Sequence, residues 1–305
     1  MYAEFLEYVT SFVDKADIKT DEPMNKHTSF RVGGPAKVFL TVRSKEVLSK
    51  ILKAIKERKL PYFVLGNGSN LLVSDQGYNG VMIYLGEEFA GIEAEGTQIR
   101  AGAAAFLGKV ARKALEEELT GLEFAAGIPG SLGGGVVMNA GAYGGELSQV
   151  VTKVSAMDEN GEAVELEKEE LLLGYRTSVF KKKAYVILEV FMELQKGNKQ
   201  DILGKMDEYA KARIEKQPLE YPSAGSTFKR PAGYFAGKLI MDAGLAGYRV
   251  GDAEISTKHC GFAINRGNAT AADFYQLMQD VAAKVKEEFG VTLEPEVRLL
   301  GEFPA

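Results

Sequence analysis

Apolar residues recur along the chain with two different spacings, and the switches between them outline the elements. Phe5, Leu6, Val9, Phe12 and Val13 share one face at helical spacing, so the first segment reads as an amphipathic helix. Residues 37–42 read as a strand, 44–57 as a helix and 62–65 as a buried strand. After a glycine-rich turn, 71–73 and 81–84 return as strands. Residues 104–118 form the next expected helix, and a long glycine-rich loop covers 127–145. Strands are expected again at 151–157 and 185–194, and Asp158-Glu159-Asn160-Gly161 is turn chemistry between strands.

The pattern changes after Leu194, and the polar stretch 195–199 marks an expected boundary. Ile202, Met206, Tyr209 and Ile214 then fall on one helix, and a glycine-containing loop covers 221–230. A long helix is expected from Thr270 to Phe289, with Phe274, Leu277, Met278, Val281 and Val285 facing inward. Thr270 and Asp273 form a variant capping box there, and Gly290 is a stop. Strands are grouped rather than strictly alternating with helices, so the expected fold class is α+β. The expected domains are 1–196, two α+β subdomains split near 86, and a smaller α+β domain at 197–305.

Composition narrows the function. The 305 residues are 46% apolar and 26% charged, an ordinary globular balance. A net charge of −5 disfavours nonspecific nucleic-acid binding, but local cations can still hold an anionic small molecule. One cysteine, Cys260, allows no intrachain disulfide. The first residues lack a basic segment followed by an apolar core, and no run nears 18 apolar residues. A cytoplasmic protein without membrane or nucleic-acid partners is expected.

Two histidines, far apart, and no HExxH, CxxC or EF-hand pattern leave no metal site to expect. The Gly-Lys pairs at 108, 204 and 237 are not followed by Ser or Thr, so no Walker A loop exists, and there is no GxSxG elbow. Gly66-Asn67-Gly68-Ser69-Asn70-Leu71 carries only two of the three glycines of the dinucleotide fingerprint. It still follows an apolar strand and offers close backbone approach with Ser and Asn donors, which suits an anion. The second segment holds eight glycines between 127 and 145, more than one turn requires. A long ordered glycine loop loses much entropy on folding, so two such segments point to a large phosphate-bearing cofactor.

Six segments together carry a resemblance. They are Thr28-Ser-Phe-Arg-Val-Gly-Gly-Pro-Ala36, Gly66-Asn-Gly-Ser-Asn-Leu-Leu72, and Gly127-Ile-Pro-Gly-Ser131 running on to Asn139-Ala-Gly-Ala-Tyr-Gly144. They continue with Gly174-Tyr-Arg-Thr-Ser178, Tyr221-Pro-Ser-Ala-Gly-Ser-Thr-Phe-Lys-Arg-Pro231 and Glu294-Pro-Glu-Val-Arg298. In this order and spacing the chain resembles the UDP-N-acetylenolpyruvoylglucosamine reductases along nearly its whole length. The short stretch between Gly237 and Gly251 is similar to the compact subclass, which lacks an inserted tyrosine-bearing loop.

The resemblance implies an FAD-binding domain of the vanillyl-alcohol-oxidase type followed by a smaller α+β substrate-binding domain, whose last strand near 294–305 returns toward the flavin site. It implies NADPH as reductant and UDP-N-acetylglucosamine enolpyruvate as substrate, in peptidoglycan precursor synthesis. FAD would be held by Gly66, Asn67, Gly68, Ser69, Asn70 and Leu71, and by Gly127, Ile128, Pro129, Gly130, Ser131, Gly134, Asn139, Gly141 and Ala142. Arg176 and Glu296 would stabilise charge developing at C2 and the substrate carboxylate, and Ser226 would supply the proton. Tyr175, Lys216, Lys229 and Arg230 would hold the nucleotide phosphates or the carboxylate. Flavoproteins of this fold that attach FAD covalently often use a histidine near the pyrophosphate loop. Residues 66–70 contain none, and His27 and His259 are expected elsewhere, so the FAD should be noncovalent.

Without the motifs, Arg176 would read as a solvated charge, Ser226 as a turn residue and Glu296 as part of a charged strand end. Adjacent His259 and Cys260 are expected to point to opposite faces of a strand and to have no joint role. The alternatives are another FAD-dependent oxidoreductase acting on an alcohol or sugar, which would not need Tyr175-Arg176, Ser226 and Glu296 together, and a nucleotide-binding module without catalysis.

Overall fold

A computed structural model describes residues 2–304. Helix α1, Tyr2–Val9, buries Phe5 and Val9, and Val13 is buried just beyond its end. Strands β1 (Ile18–Pro23) and β2 (Pro35–Val42) precede α2 (Lys45–Glu57), where the Ser44 hydroxyl caps the helix by accepting from the Val47 amide at 3.2 Å. Strand β3 (Tyr62–Leu65) enters the first glycine turn, and β4 (Leu71–Val73) and β5 (Tyr78–Leu85) follow it. The hairpin β6 (Ile92–Glu95) and β7 (Gln98–Gly102) leads to α3 (Leu107–Glu116) and the short β8 (Leu119–Thr120). The second glycine segment contains α4 (Leu132–Val137) and a minimal hairpin of β9 (Gly141–Ala142) and β10 (Gly145–Glu146). Strands β11 (Val151–Met157), β12 (Ala163–Glu167), β13 (Val186–Glu193) and β14 (Gln195–Lys196) precede α5 (Lys199–Lys216). The chain closes with β15 (Ser223–Ser226), α6 (Ala236–Asp242), β16 (Arg249–Val250), β17 (Ala253–Ile255), β18 (Phe262–Asn265), α7 (Ala271–Phe289) and β19 (Arg298–Leu300).

Packing divides the chain into two compact units, and the division is discontinuous. The first holds residues up to 20, 38–66 and 80–212; the second holds 21–37, 67–79 and 213 onward. The first unit is built on a five-stranded antiparallel sheet in the order β12-β11-β13-β7-β6. Its core joins Val151, Val154, Val190 and Ile99 to Leu48, Ile51 and Leu52 of α2 and Val110 and Ala114 of α3. A second sheet, β1-β2-β5-β3, has β3 and β5 parallel.

The second unit has its own antiparallel sheet, β15-β18-β17-β16, and a separate parallel pair, β4 and β19. Helix α7 closes it, burying Phe274, Leu277, Met278, Val281 and Val285, each worth roughly 1.5–3 kcal/mol when fully buried. Its start is a reciprocal capping box: the Thr270 hydroxyl accepts from Asp273 N at 3.0 Å and the Asp273 carboxylate from Thr270 N at 2.9 Å. Gly290 ends it in the left-handed region, φ 69°. Asp75 adds two more acceptors at that N-terminus, each 2.8 Å from the Ala271 and Ala272 amides.

Four expectations change. Strand β3 is half-buried except for Leu65, because it lies at the end of its sheet. The glycine segment 127–145 is not all loop, since residues 132–137 are helical. Residues 221–230 include a true strand, β15. On α5, Ile202 is buried and Met206 and Tyr209 pack on the first core, but Ile214 is 62% exposed, because five residues past Tyr209 carry it about 140° round the helix, off the packed stripe.

Candidate active site

In the first unit, the glycines set how closely backbones approach. A β-carbon on Gly66 would stand 2.5 Å from Ser131 Oγ, so Ser131 can sit against the end of β3 only because residue 66 has none. Ser131 caps α4 through Oγ, which accepts from Gly134 N at 3.3 Å. β-Carbons on Gly133 and Gly135 would meet Ala103 Cβ at 2.9 Å and Leu107 Cδ1 at 3.0 Å. The first amides of α4 already have acceptors: Leu132 N donates to Ala105 O at 2.7 Å and Gly133 N to Ala103 O at 2.9 Å. Much of this glycine richness therefore serves helix packing, and these two α4 amides are committed within the protein.

Downstream, the backbone turns left-handed at several non-glycine residues, three of them in the segments that carry the expected site. Asn139, Tyr143 and Arg176 have φ of 43°, 53° and 53°. Such a conformation costs roughly 1–2 kcal/mol per residue, so each must be held by its surroundings. Buried Asn139 ties two segments together: its Nδ2 donates to Gly174 O at 3.2 Å, and its Oδ1 accepts from Ser148 N at 2.8 Å. Gly174 and Thr177 exchange backbone hydrogen bonds at 3.1 Å each, which closes a turn over Tyr175 and Arg176. Arg176 Nη2 donates to Gly141 O at 3.4 Å, its guanidinium lies 5.3 Å from the Tyr175 ring centroid, and Lys181 Nζ donates to its carbonyl at 3.2 Å. Arg176 is thus held from both its backbone and its side chain, with Tyr175 exposed beside it.

Tyr143 and Gly144 form the two-residue turn between β9 and β10, both with positive φ. A tyrosine is a poor choice for that first position, where glycine, asparagine or aspartate are usual. Its ring stacks on Tyr209 of α5, with centroids 4.4 Å apart and planes 3° from parallel, and its hydroxyl donates to Tyr209 O at 3.2 Å. A stack contributes about 0.5–1.5 kcal/mol and a hydrogen bond about 0.5–1.5 kcal/mol, together enough to offset the left-handed turn.

In the second unit, the turn after β3 presents an anion cradle. Among the described residues, the amides of Asn67, Gly68, Ser69 and Asn70 donate to no protein acceptor. Gly68 has φ 59°, and a β-carbon there would overlap His27 O at 1.9 Å. Successive unengaged amides at a left-handed glycine fit a pyrophosphate, so the donor set present suits FAD. The structure corrects one expectation here. The His27 backbone packs directly on Gly68, and only its imidazole is turned to Glu22, with Nε2 2.9 Å from Oε1.

The segments that carry Ser226 and Glu296 pair through their backbones in this unit. Glu296 N donates to Thr227 O and Lys229 N to Glu294 O, both at 2.9 Å, with Phe228 paired to Pro295. On its other side, Glu296 O accepts from Asn70 Nδ2 and Asn70 O accepts from Arg298 N, both at 3.1 Å. The first glycine turn, Glu296 and the Ser226 strand are therefore one hydrogen-bonded assembly. Gly225, φ 75°, and a register break between Ser223 and Ser226 turn the strand at this point. Thr227, fully buried beside it, accepts from Ala263 N through Oγ1 at 2.8 Å and fixes the strand. Thr227 was missed as a site-shaping residue although it stands inside the motif, because its hydroxyl serves the scaffold.

Around them, Lys229 Nζ lies 2.9 Å from Glu294, whose carboxyl that lysine holds below the usual range. This exposed pair contributes little to stability. The Arg230 guanidinium sits 4.4 Å from the Phe235 ring centroid, and Lys216 is exposed at the end of α5. His259 and Cys260 lie in the turn between β17 and β18, not on a strand. Burial pushes the Cys260 thiol up and the His259 imidazole down, the reverse of an activated thiolate pair. Among the described residues, no group of three or more His, Cys, Asp or Glu could hold a metal ion, and no helix is long and apolar enough to cross a membrane.

The chain is similar to known proteins in both of its parts. Residues 36–167 match an FAD binding domain, and 217–300 match the C-terminal domain of UDP-N-acetylenolpyruvoylglucosamine reductase. The reductase of Lachnoclostridium phytofermentans is 51% identical over 301 residues, 97% of each chain. The crystal structure of the Thermus caldophilus enzyme superposes with a TM-score of 0.80 at 37% identity, covering 92% of this chain and 97% of that one. A variant of Phl p 4, a glucose oxidase, shares the fold alone: TM-score 0.51 at 12% identity, over 73% of this chain and 51% of that one. The likeness to named reductases, in fold and in residues, thus extends over nearly the whole sequence, and the chain belongs to the UDP-N-acetylenolpyruvoylglucosamine reductase family.

Proposed function

We propose that this protein uses NADPH to reduce UDP-N-acetylglucosamine enolpyruvate to UDP-N-acetylmuramate through noncovalent FAD, a cytoplasmic step toward peptidoglycan. Residues 1–196 would serve the flavin and 197–305 the substrate. The observation that carries the reading is the pairing of the Ser226 and Glu296 segments with Asn70 of the first glycine turn, within a chain so similar to named reductases.

When bound, FAD supplies the hydride that passes from NADPH to the methylene carbon of the enol ether. The chain's own groups deal with what that leaves behind. Negative charge develops at C2 and spreads into the adjoining carboxylate, where the Arg176 fork can donate two directed hydrogen bonds. Glu296 assists only while protonated or shared with a cation, since a free carboxylate would oppose the new charge. Ser226 gives its proton to C2; a hydroxyl suffices because an enolate carbon is a strong base. Tyr175, Lys216, Lys229 and Arg230 bind the phosphates or the substrate carboxylate.

The test is NADPH oxidation that depends on the enolpyruvyl sugar nucleotide. Turnover with an alcohol or sugar instead would replace this reading by that of another flavin oxidoreductase, and no turnover in a flavin-loaded protein would leave only binding. The purified protein should be yellow, and acid precipitation should release the colour into the supernatant. Colour retained in the pellet would contradict noncovalent FAD and direct attention to His27.

A further inference from the structure

We propose that Tyr209 of α5 is a positioning residue for the reduction, acting on Arg176 through Tyr143; this rests on the function proposed above. The chain of contacts is short and lies within one unit. Tyr209 offers a ring face and a backbone carbonyl, and Tyr143 uses both, by stacking and by its hydroxyl. That fixes the left-handed turn at Tyr143 and Gly144, which sets the register of Gly145 on Ala142 and of Glu146 on Gly141. Gly141 O is in turn the acceptor for Arg176 Nη2.

The hairpin has little room to settle any other way. A β-carbon on Gly141 would lie 2.6 Å from Gly145 O, and one on Gly145 would lie 2.4 Å from the Phe124 ring. The hairpin is thus seated on Phe124 below, but its tip, Tyr143, is 44% exposed and is held from the side by α5. Helix α5 is otherwise lightly attached, with only Ile202 buried and Met206 and Tyr209 its partly buried hydrophobics packed on the first core. Its last packed residue in the first unit therefore has a task beyond anchoring the helix: it holds the tip of the hairpin whose carbonyl aims the arginine.

The geometry makes an unusual distinction between substitutions. The stack needs only the ring of Tyr209, and the hydrogen bond goes to its backbone, so Tyr209→Phe should stay within about twofold of the parent. Tyr209→Leu should slow reoxidation of reduced flavin by the enolpyruvyl sugar nucleotide roughly tenfold or more, because a small misplacement of a catalytic group is costly. Flavin reduction by NADPH, followed separately, should stay within about twofold. Tyr143→Gly tolerates the turn but loses the stack; it should match Tyr209→Leu, and the double variant should be no slower than either. Tyr143→Gly also serves if the leucine variant holds flavin poorly. A parent protein that fails to turn over the sugar nucleotide refutes the function itself. With an active parent, unchanged reoxidation in Tyr209→Leu, equal slowing of both half-reactions, or equal loss in the phenylalanine variant each overturns the role of Tyr209.

Discussion

Arg176→Lys is expected to keep the charge and lose most of the activity. The comparison is clean because both residues must adopt the same left-handed backbone, φ 53°, so the strain of the Gly174–Thr177 turn is common to parent and variant. What differs is the fork. One arm of the guanidinium reaches Gly141 O at 3.4 Å, a long bond that orients a planar fork carrying five N–H donors. A lysine ammonium is a compact point charge on a flexible stem, without a planar second arm to hold both partners in fixed geometry. Losing one directed donor to a transition-state oxyanion costs on the order of 3 kcal/mol, or about a hundredfold in rate. The loss should fall on reoxidation by the sugar nucleotide and on kcat more than on KM, since charge at C2 develops in the transition state. Near-parental turnover would reduce Arg176 to a charge that helps position the substrate.

The elements that were legible carry local signals. The Thr270–Asp273 box and the Gly290 stop are each written in a few adjacent residues. Helix α7 was read in full, since its apolar stripe is deep and both ends carry caps. The misses have physical causes. Strand β1 buries none of its residues fully and is largely polar, so no alternation marks it. The β6–β7 hairpin does alternate, with Ile92 and Ala94 facing Ala101 and Ile99, but two alanines give a faint apolar signal. Helix α4 was hidden because glycine disfavours helix; here close approach to Ala103 and Leu107 outweighs propensity. The share of each unit was least legible of all. Residues 21–37 and 67–79 join the later unit through pairings such as β4 with β19 and Asp75 with the start of α7, and no local pattern announces partners some two hundred residues away.

Ser226→Ala is expected to split the catalytic cycle into a surviving half and a failing half. Ser226 ends β15 beside Phe262, just past left-handed Gly225, and the strand is fixed by Thr227, whose hydroxyl accepts from Ala263 and whose carbonyl accepts from Glu296 N. Removing the Ser226 hydroxyl touches none of those bonds, so the strand and the flavin turn tied to it through Asn70 should persist. Flavin reduction by NADPH needs no proton at the substrate's C2 and should proceed at nearly the parental rate. Reoxidation needs hydride and proton together or in close succession. Without the hydroxyl, charge left at C2 returns the hydride or waits for a poorly placed water. A positioned general acid contributes roughly 10²- to 10⁴-fold, so this half should slow by at least about the lower figure. Ser226→Cys should recover part of the loss, because a thiol is a stronger acid of similar reach. Stopped-flow absorbance at the flavin band, taken separately for each half, decides. Equal slowing of both halves would mean that the substitution disturbs the flavin turn through Thr227 and Glu296. Unchanged reoxidation would pass the proton to another donor, with protonated Glu296 the nearest candidate along the same paired segments.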